Sequence, residues 1–192
     1  MPPAELAVLP PGYAIRELRI DDAAALAAAY DRNRAHLDRW DPLRPADYYT
    51  VDGQREALAR QLSLVEGGLM AAWVVIHGDD LVVGRVNLNN IVRGVLQSGS
   101  VGYWVDQEHT RRGLASAAVE HACRQALVMG MHRVDAGTMI ANVASQQVLL
   151  RAGFEQYGTA RRFLFIAGDW QDHHLYQRLL HDEPLPVQPP NS

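Results

Sequence analysis

Between Val101 and Ala118 the chain reads VGYWVDQEHTRRGLASAA, and its chemistry is concentrated in Thr110-Arg111-Arg112-Gly113-Leu114-Ala115. A strand over residues 101–105 breaks into a polar loop that opens a long helix. The first four N–H groups of a helix have no partner inside it, and the helix dipole adds partial positive charge there. Gly113 leaves the main chain open to a phosphate, and Arg111 and Arg112 add formal charge beside it. The run has neither the Lys-Ser/Thr pair of a P-loop nor the repeated glycines of the dinucleotide fingerprint. Taken locally, it reads either as an anion cradle or as an ordinary helix start with two solvated arginines.

A second group follows in ANVASQQVLLRAGFEQYG, from Ala141 to Gly158. Asn142 and Ser145 are three apart and share one face of a helix. Asn142 also stands at an N-cap position, so a capping Asn with an incidental Ser is the simpler local account. Trp40, Tyr48 and Tyr49 lie in an aromatic, Pro-broken segment and either staple it to the core or wall a substrate site. Asn87, Asn89 and Asn90 are polar insertions in a strand, read as an exposed face or as groove lining. Cys123 falls inside the long helix and reads as a small buried hydrophobe. His109 reads as a solvated loop residue. His173 and His174 point to opposite faces of a strand and do not make a metal site.

The elements that must position these residues follow from period and punctuation. A strand is expected over residues 13–20, then an Ala-rich helix to about residue 32 capped by Asp21-Asp22. Residues 34–49 form no clean element. A helix spans about 51–67 and is stopped by Gly67-Gly68. Strands follow at 69–77, 81–92 and 99–105, then the helix over about 111–129. A strand at 133–139, a short helix at 142–151 and a hairpin of 154–167 with 170–180 complete the order β-α-α-β-β-β-α-β-α-β-β. The strand–helix–strand unit from 99 to 139 requires a parallel pair, whereas the hairpins are antiparallel. The expected fold is therefore an α/β (α+β mixed) domain with a mixed, mostly antiparallel sheet of about seven strands and helices on both faces. Ligands of such sheets bind at the carboxyl ends of parallel strands, where the Arg-Gly loop sits.

At 192 residues and 48% hydrophobic, the chain suits one domain, placed at residues 12–181, with Pro-punctuated flexible termini at 1–11 and 182–192. A net charge of −4 argues against a dedicated nucleic-acid binder. The lone cysteine excludes an internal disulfide. There is no secretory signal pattern and no apolar window of membrane-spanning length, so a cytoplasmic protein is expected.

Together, Thr110–Ala115, Asn142-x-x-Ser145, Arg151-Ala152-Gly153-Phe154 and the element order resemble the GCN5-related N-acetyltransferase (GNAT) superfamily. Within it, the NRAHLDRW segment and the terminal GDWQDHHLYQRLL hairpin are similar to the branch that acetylates N-termini of ribosomal proteins. The resemblance implies acetyl-CoA as cofactor, with its pyrophosphate on the N–H groups of Arg111, Arg112, Gly113, Leu114 and Ala115. It implies a pantetheine arm along Trp104 and Val105, and a free N–H near Val105 aimed at the thioester carbonyl. It implies Asn142 and Ser145 at the cofactor, with Ser145 as general acid. Trp40, Tyr49 and Asn87 are the expected acceptor-side residues, and no metal is expected. Thr110 departs from the family's usual Gln or Arg. Leu149 and Leu164 stand where some relatives carry an acid Tyr and a base carboxylate, which leaves the base unassigned. The implied reaction is direct acetyl transfer to a primary amine, most simply a protein N-terminal α-amine. A small amine (polyamine, amino acid or aminoglycoside-like antibiotic) and a non-catalytic acyl-CoA-binding module stay open as alternatives. Homodimerisation is an expectation from the same resemblance.

Overall fold

The computed structural model describes residues 8–184. Most of the expected loose order of residues 1–11 and 182–192 lies outside the described residues. β1 (Tyr13–Glu17) ends earlier than its apolar pattern suggests, and a 3-10 turn leads into α1 (Ala23–Arg32). The cause is Asp22. Its carboxylate accepts from the Arg19 N–H at 2.8 Å and from both Arg16 guanidinium nitrogens at 2.9 and 2.7 Å, which turns the chain. Asp22 stands at the N-cap of α1 as expected, but its side chain accepts no hydrogen bond from that helix because it is committed to this corner. The segment expected to be irregular holds one helical turn, α2 (Arg34–Leu37), and a 3-10 turn at Ala46–Tyr49. α3 (Val51–Glu66) is capped by Thr50, whose Oγ1 accepts from the Gly53 N–H at 3.1 Å. Such a cap contributes about 1 kcal/mol.

The remainder is β2 (Ala71–His77), β3 (Leu81–Val92), β4 (Ser98–Val105), α4 (Leu114–Val128), β5 (Arg133–Met139), α5 (Val143–Arg151), β6 (Glu155–Ile166) and β7 (Asp169–Leu179). One seven-stranded sheet runs β1-β2-β3-β4-β5-β7-β6. Every neighbouring pair is antiparallel except β4 and β5. The mixed sheet and its helices on both faces match the expectation.

β2 shows why two layers of helix cover the sheet. Ala71, Trp73 and Val75 face one core, built with Leu114, Ala118, Val119 and Ala122 of α4 and Leu149 of α5. The alternate residues Ala72 and Val74 face a second core with Leu26 and Tyr30 of α1 and Leu58 of α3. A strand apolar on both sides must be covered on both. Each large side chain so buried stabilises the fold by about 1.5–3 kcal/mol. Cys123 belongs to the first core, and burial pushes its thiol up to about 12, which leaves it inert.

The functional consequence lies between β4 and β5. Only Ser98, Gly99 and Ser100 pair with Arg133, Val134 and Asp135. Asp135 pins this closed end, accepting from Ser98 Oγ at 2.6 Å and Arg133 Nε at 2.8 Å. Beyond it the strands separate. The far half of β4 stays paired to β3, and β5 stays paired to β7 along its whole length. The sheet is split toward the carboxyl ends of its two parallel strands.

Candidate active site

A cleft of about 580 Å³ occupies the split. One mouth lies at the start of α4. That helix begins at Leu114, three residues later than its sequence suggests, because Arg111 (φ 60°) and Gly113 (φ 78°) both adopt left-handed backbone. Left-handed residues cannot extend a right-handed helix. Alternation of this kind turns successive N–H groups inward as an anion-binding nest. Among the described residues, no main-chain N–H from Arg111 to Ser116 meets an acceptor; the first helical bond runs from Ala117 N–H to Gly113 O at 3.0 Å. A Cβ built on Gly113 has no atom within 4 Å, so the space above it is open.

The loop before the cradle is held from behind. Buried Asp106 accepts from Arg32 Nε at 2.7 Å, Asn33 Nδ2 at 2.9 Å and the Glu108 N–H at 2.9 Å. Burial works to raise its pKa, but the hydrogen bonds from Asn33, Glu108 and Arg32 outweigh it and hold the carboxyl below its ordinary value. Asn33 Oδ1 accepts from the Gln107 N–H at 2.8 Å. His109 is not a free loop residue: its Nδ1 meets the Tyr13 hydroxyl at 2.8 Å, and its ring contacts the cleft. Thr110 closes the turn by donating from Oγ1 to Gln107 O at 2.9 Å, which explains how the loop tolerates the departure at this position.

The walls carry reactive groups. The Asp106 N–H is spent on Val83 O at 2.8 Å. Successive N–H groups along a strand point to opposite edges, so the N–H of Val105 points into the split. Asn142 caps α5, its Oδ1 accepting from the Ser145 N–H at 3.1 Å. The capping reading of Asn142 therefore holds for its oxygen, while the residue also lines the cleft. The Ser145 hydroxyl lies 2.9 Å from the Tyr103 hydroxyl, which also donates to Ser145 O at 3.2 Å. Burial is the main reason that the Tyr103 phenol is raised to about 12, so it stays protonated at neutral pH. Thr138 Oγ1, on the opposite wall, is buried and has no hydrogen-bond partner among the described residues.

The second mouth is lined by His36, Trp40 and Asp41 on one side and by Leu164, Ile166 and His173 on the other. Ala167 N–H donates to Asp41 O at 3.2 Å, which ties the segment after α2 to the β6–β7 turn. Of the expected site residues, the cleft gathers Trp40, Trp104, Val105, Arg111, Gly113, Leu114, Ala115, Asn142 and Ser145. It does not gather Arg112, Tyr49 or Asn87. Arg112 is exposed beside the cradle. Tyr49 donates to Asp38 at 3.3 Å, lies under the Arg34 guanidinium and packs on Tyr48, so it staples its segment to the second core. Asn87 Oδ1 accepts from Arg85, whose guanidinium also reaches Gln61 of α3, on the sheet face that α3 covers. His173 is buried, whereas His174 bonds Gln156 and Thr159 on β6.

Six free amides at one mouth, an orphaned Thr138 hydroxyl and unpaired strand edges along the walls fit a long, phosphate-headed, amide-bearing ligand such as acetyl-CoA. The family comparison agrees. An acetyltransferase (GNAT) domain model matches residues 14–155. The chain belongs to the GNAT acetyltransferase family. The acetyltransferase is 33% identical over 171 residues to the Bacillus subtilis protein named Probable N-acetyltransferase YjcK, covering 88% of this chain and 94% of that one. It is 31% identical over 163 residues to the Escherichia coli ribosomal protein uS5 alanine N-acetyltransferase, covering 84% of each. Among solved structures, the Vibrio fischeri ribosomal-protein-S5-alanine acetyltransferase superimposes with a TM-score of 0.86 at 30% identity, over 94% of this chain and 100% of that one. Mycobacterium smegmatis RimJ, solved with CoA-disulfide, gives a TM-score of 0.81 at 28% identity, over 87% and 81%. The protein is an acetyl-CoA-dependent N-acetyltransferase.

Three lining residues of this acetyltransferase had no role in the sequence reading. Tyr103 gave no signal, since nothing in the chain places it beside Ser145, 42 positions on. Thr138 sits in an ordinary strand. Asp41 was adjacent to an expected acceptor residue, Trp40, in a Pro-broken segment whose path only the fold defines.

Proposed function

We propose that this acetyltransferase moves the acetyl group of acetyl-CoA to the N-terminal α-amine of a protein of the ribosomal type, by direct attack in a ternary complex. The observation that carries this reading is the make-up of the acceptor mouth. Among the described residues, Asp41 is the only acidic residue lining the cleft; its neighbours are Trp40, Leu164, Ile166 and two histidines. A polyamine or aminoglycoside carries several cations and needs several carboxylates to hold them. A peptide N-terminus carries one. The relatives named as ribosomal-protein alanine acetyltransferases support the same acceptor. Such a substrate implies a cytoplasmic enzyme.

In this reading acetyl-CoA supplies an activated acetyl thioester. The Arg111–Ala115 amides and Arg111 bind its pyrophosphate, and Thr138 takes a hydrogen bond from the pantetheine arm. Asn142 contributes its side-chain amide, and Trp104 shapes the channel. Val105 N–H stabilises charge that develops on the carbonyl oxygen. Ser145 protonates the departing sulfur, with Tyr103 holding its hydroxyl. Tyr49 and Asn87 receive no acceptor role.

The test is a panel of acceptors read by free-thiol release. Peptides with a free Ala or Ser N-terminus are expected to turn over, their N-acetylated forms are not, and spermidine and kanamycin are poor. Faster turnover of a polycationic amine than of every peptide would refute the proposed acceptor.

A further inference from the structure

The acceptor mouth contains a carboxylate that the transfer chemistry above leaves unused. Asp41 follows α2 and is fixed by its main chain on both sides. Its N–H donates to Leu37 O at 3.0 Å, and its carbonyl accepts from Ala167 N–H at 3.2 Å in the β6–β7 turn. Pro42 follows and limits the local backbone further. Asp41 therefore bridges the two elements that roof the acceptor mouth. Among the described residues its side-chain oxygens take no hydrogen bond and no ion pair, although seven other carboxylates form ion pairs. A carboxylate held in a largely apolar mouth without a partner is ready to receive a cation from outside.

We propose that Asp41 is a catalytic residue: it receives the acceptor's ammonium group and removes its proton before attack. The inference rests on the proposed function, an α-amine acceptor, and supplies the base that the sequence could not assign. Leu164, where some relatives carry a carboxylate, lines the same mouth across from it. The carboxylate would thus approach from the α2 side in this chain rather than from β6.

The protons balance. The ammonium passes one proton to the Asp41 carboxylate, which returns it to water. The freed lone pair forms a C–N bond at the thioester carbonyl. The C–S bond then breaks, and the sulfur leaves as thiolate. The nitrogen sheds a second proton, and the thiolate gains one through the Ser145 hydroxyl. The products are an amide, a free thiol and one proton.

The surroundings favour proton uptake by this carboxylate. Burial raises the Asp41 carboxyl above its ordinary range, Asp38 adds to this, and Arg44 opposes it. The titratable neighbours lining the mouth are His36 on α2 and His173 on β7; Leu164 and Ile166 of β6 carry no charge.

The experiment measures kcat/KM for the best acceptor of the amine panel, from pH 6 to 9.5, for wild type, Asp41→Asn and Asp41→Glu. Tm and acetyl-CoA affinity are measured in parallel. Asp41→Asn is expected to lose about 100-fold at pH 6.5, the usual size of general-base assistance. Its deficit should shrink to less than about 5-fold at pH 9.5, because an α-amine with pKa near 8 is neutral there unaided. Asp41→Glu retains the carboxylate and should recover at least a tenth of wild-type activity. Acetyl-CoA affinity should be unchanged in both. Asp41→Asn within 3-fold of wild type at pH 6.5, or a deficit of the same size at every pH, overturns the proposal. If Asp41→Asn fails to fold, an inactive but folded Asp41→Glu overturns it instead. The acceptor identity fails separately: a wild type that prefers a small amine refutes the peptide reading while Asp41 is still tested on that amine. A wild type that releases no thiol with any amine refutes both.

Discussion

Replacing Tyr103 by Phe removes one oxygen from the cleft wall and leaves the ring in place. That oxygen lies 2.9 Å from Ser145 Oγ and 3.2 Å from Ser145 O. A net hydrogen bond contributes about 1 kcal/mol, which for a chain of this length lowers Tm by about 2–4 °C. The kinetic effect follows from the rotamer. A serine side chain has three staggered wells, and the phenol selects the one it bonds. If all three become equally populated, the productive fraction falls about threefold; losing the hydroxyl that hydrogen-bonds Oγ brings the total to about 10-fold. kcat should therefore fall about 3- to 10-fold while KM for acetyl-CoA changes little. The deficit should be flat from pH 6.5 to 9.5, because the phenol titrates only at about 12. Ser145→Ala alone should lose about 100-fold, the scale of general-acid assistance. The decisive assay is the double-mutant cycle. If Tyr103 acts through Ser145, Tyr103→Phe added to Ser145→Ala costs nothing further. The same 3- to 10-fold loss in both backgrounds would refute the coupling and assign Tyr103 a separate role.

Other outcomes follow from the same geometry. Gly113→Ala meets no neighbour within 4 Å but must keep φ at 78°, so thermal melts should show a loss of about 1–2 kcal/mol, with a weaker acetyl-CoA Kd by titration calorimetry. Acetyl-CoA at 100 times its Kd should stabilise wild type by about 2.7 kcal/mol, read as a Tm rise of about 5–11 °C; no shift at millimolar ligand would contradict the cradle. Asp106→Asn should cost about 2 kcal/mol in urea unfolding, less than a fully buried pair because Arg32 keeps a third of its exposure. The Asp106 pKa is depressed in the folded state, so its stabilisation is complete above the unfolded value near 4 and disappears as pH falls through the folded one. The gap between Asp106→Asn and wild type should therefore close below about pH 4, as measured by urea unfolding across that range.

Much of the fold was legible because local rules agree with it. β3 and β5 fall where alternation and turn residues put them, and Gly130 and Gly153 end their helices. The misplacements have local causes that pattern cannot see. The α4 start moved three residues because Arg111 takes a left-handed conformation that only its surroundings stabilise. β1 ended early because the Asp22 carboxylate gathers Arg16 and the Arg19 N–H.

By itself, the sequence marked out the residues proposed for the donor side. A row of backbone amides at a helix start is made by consecutive residues, so Arg111–Ala115 and the Asn142–Ser145 pair could be read along the chain. The acceptor side and the partnership inside the cleft were decided only by tertiary structure. Ser145 meets Tyr103 because β4 parts from β5 after Ser100 and α5 packs beside the gap. Asp41 joins Leu164 and His173 at one mouth because the β6–β7 turn folds back onto the segment after α2. Tyr49 and Asn87, plausible by residue type, were turned instead toward the second core and the α3 face. Proximity between residues distant in sequence depends on strand order and on where two strands stop pairing. Neither is encoded in the period or spacing of any single segment.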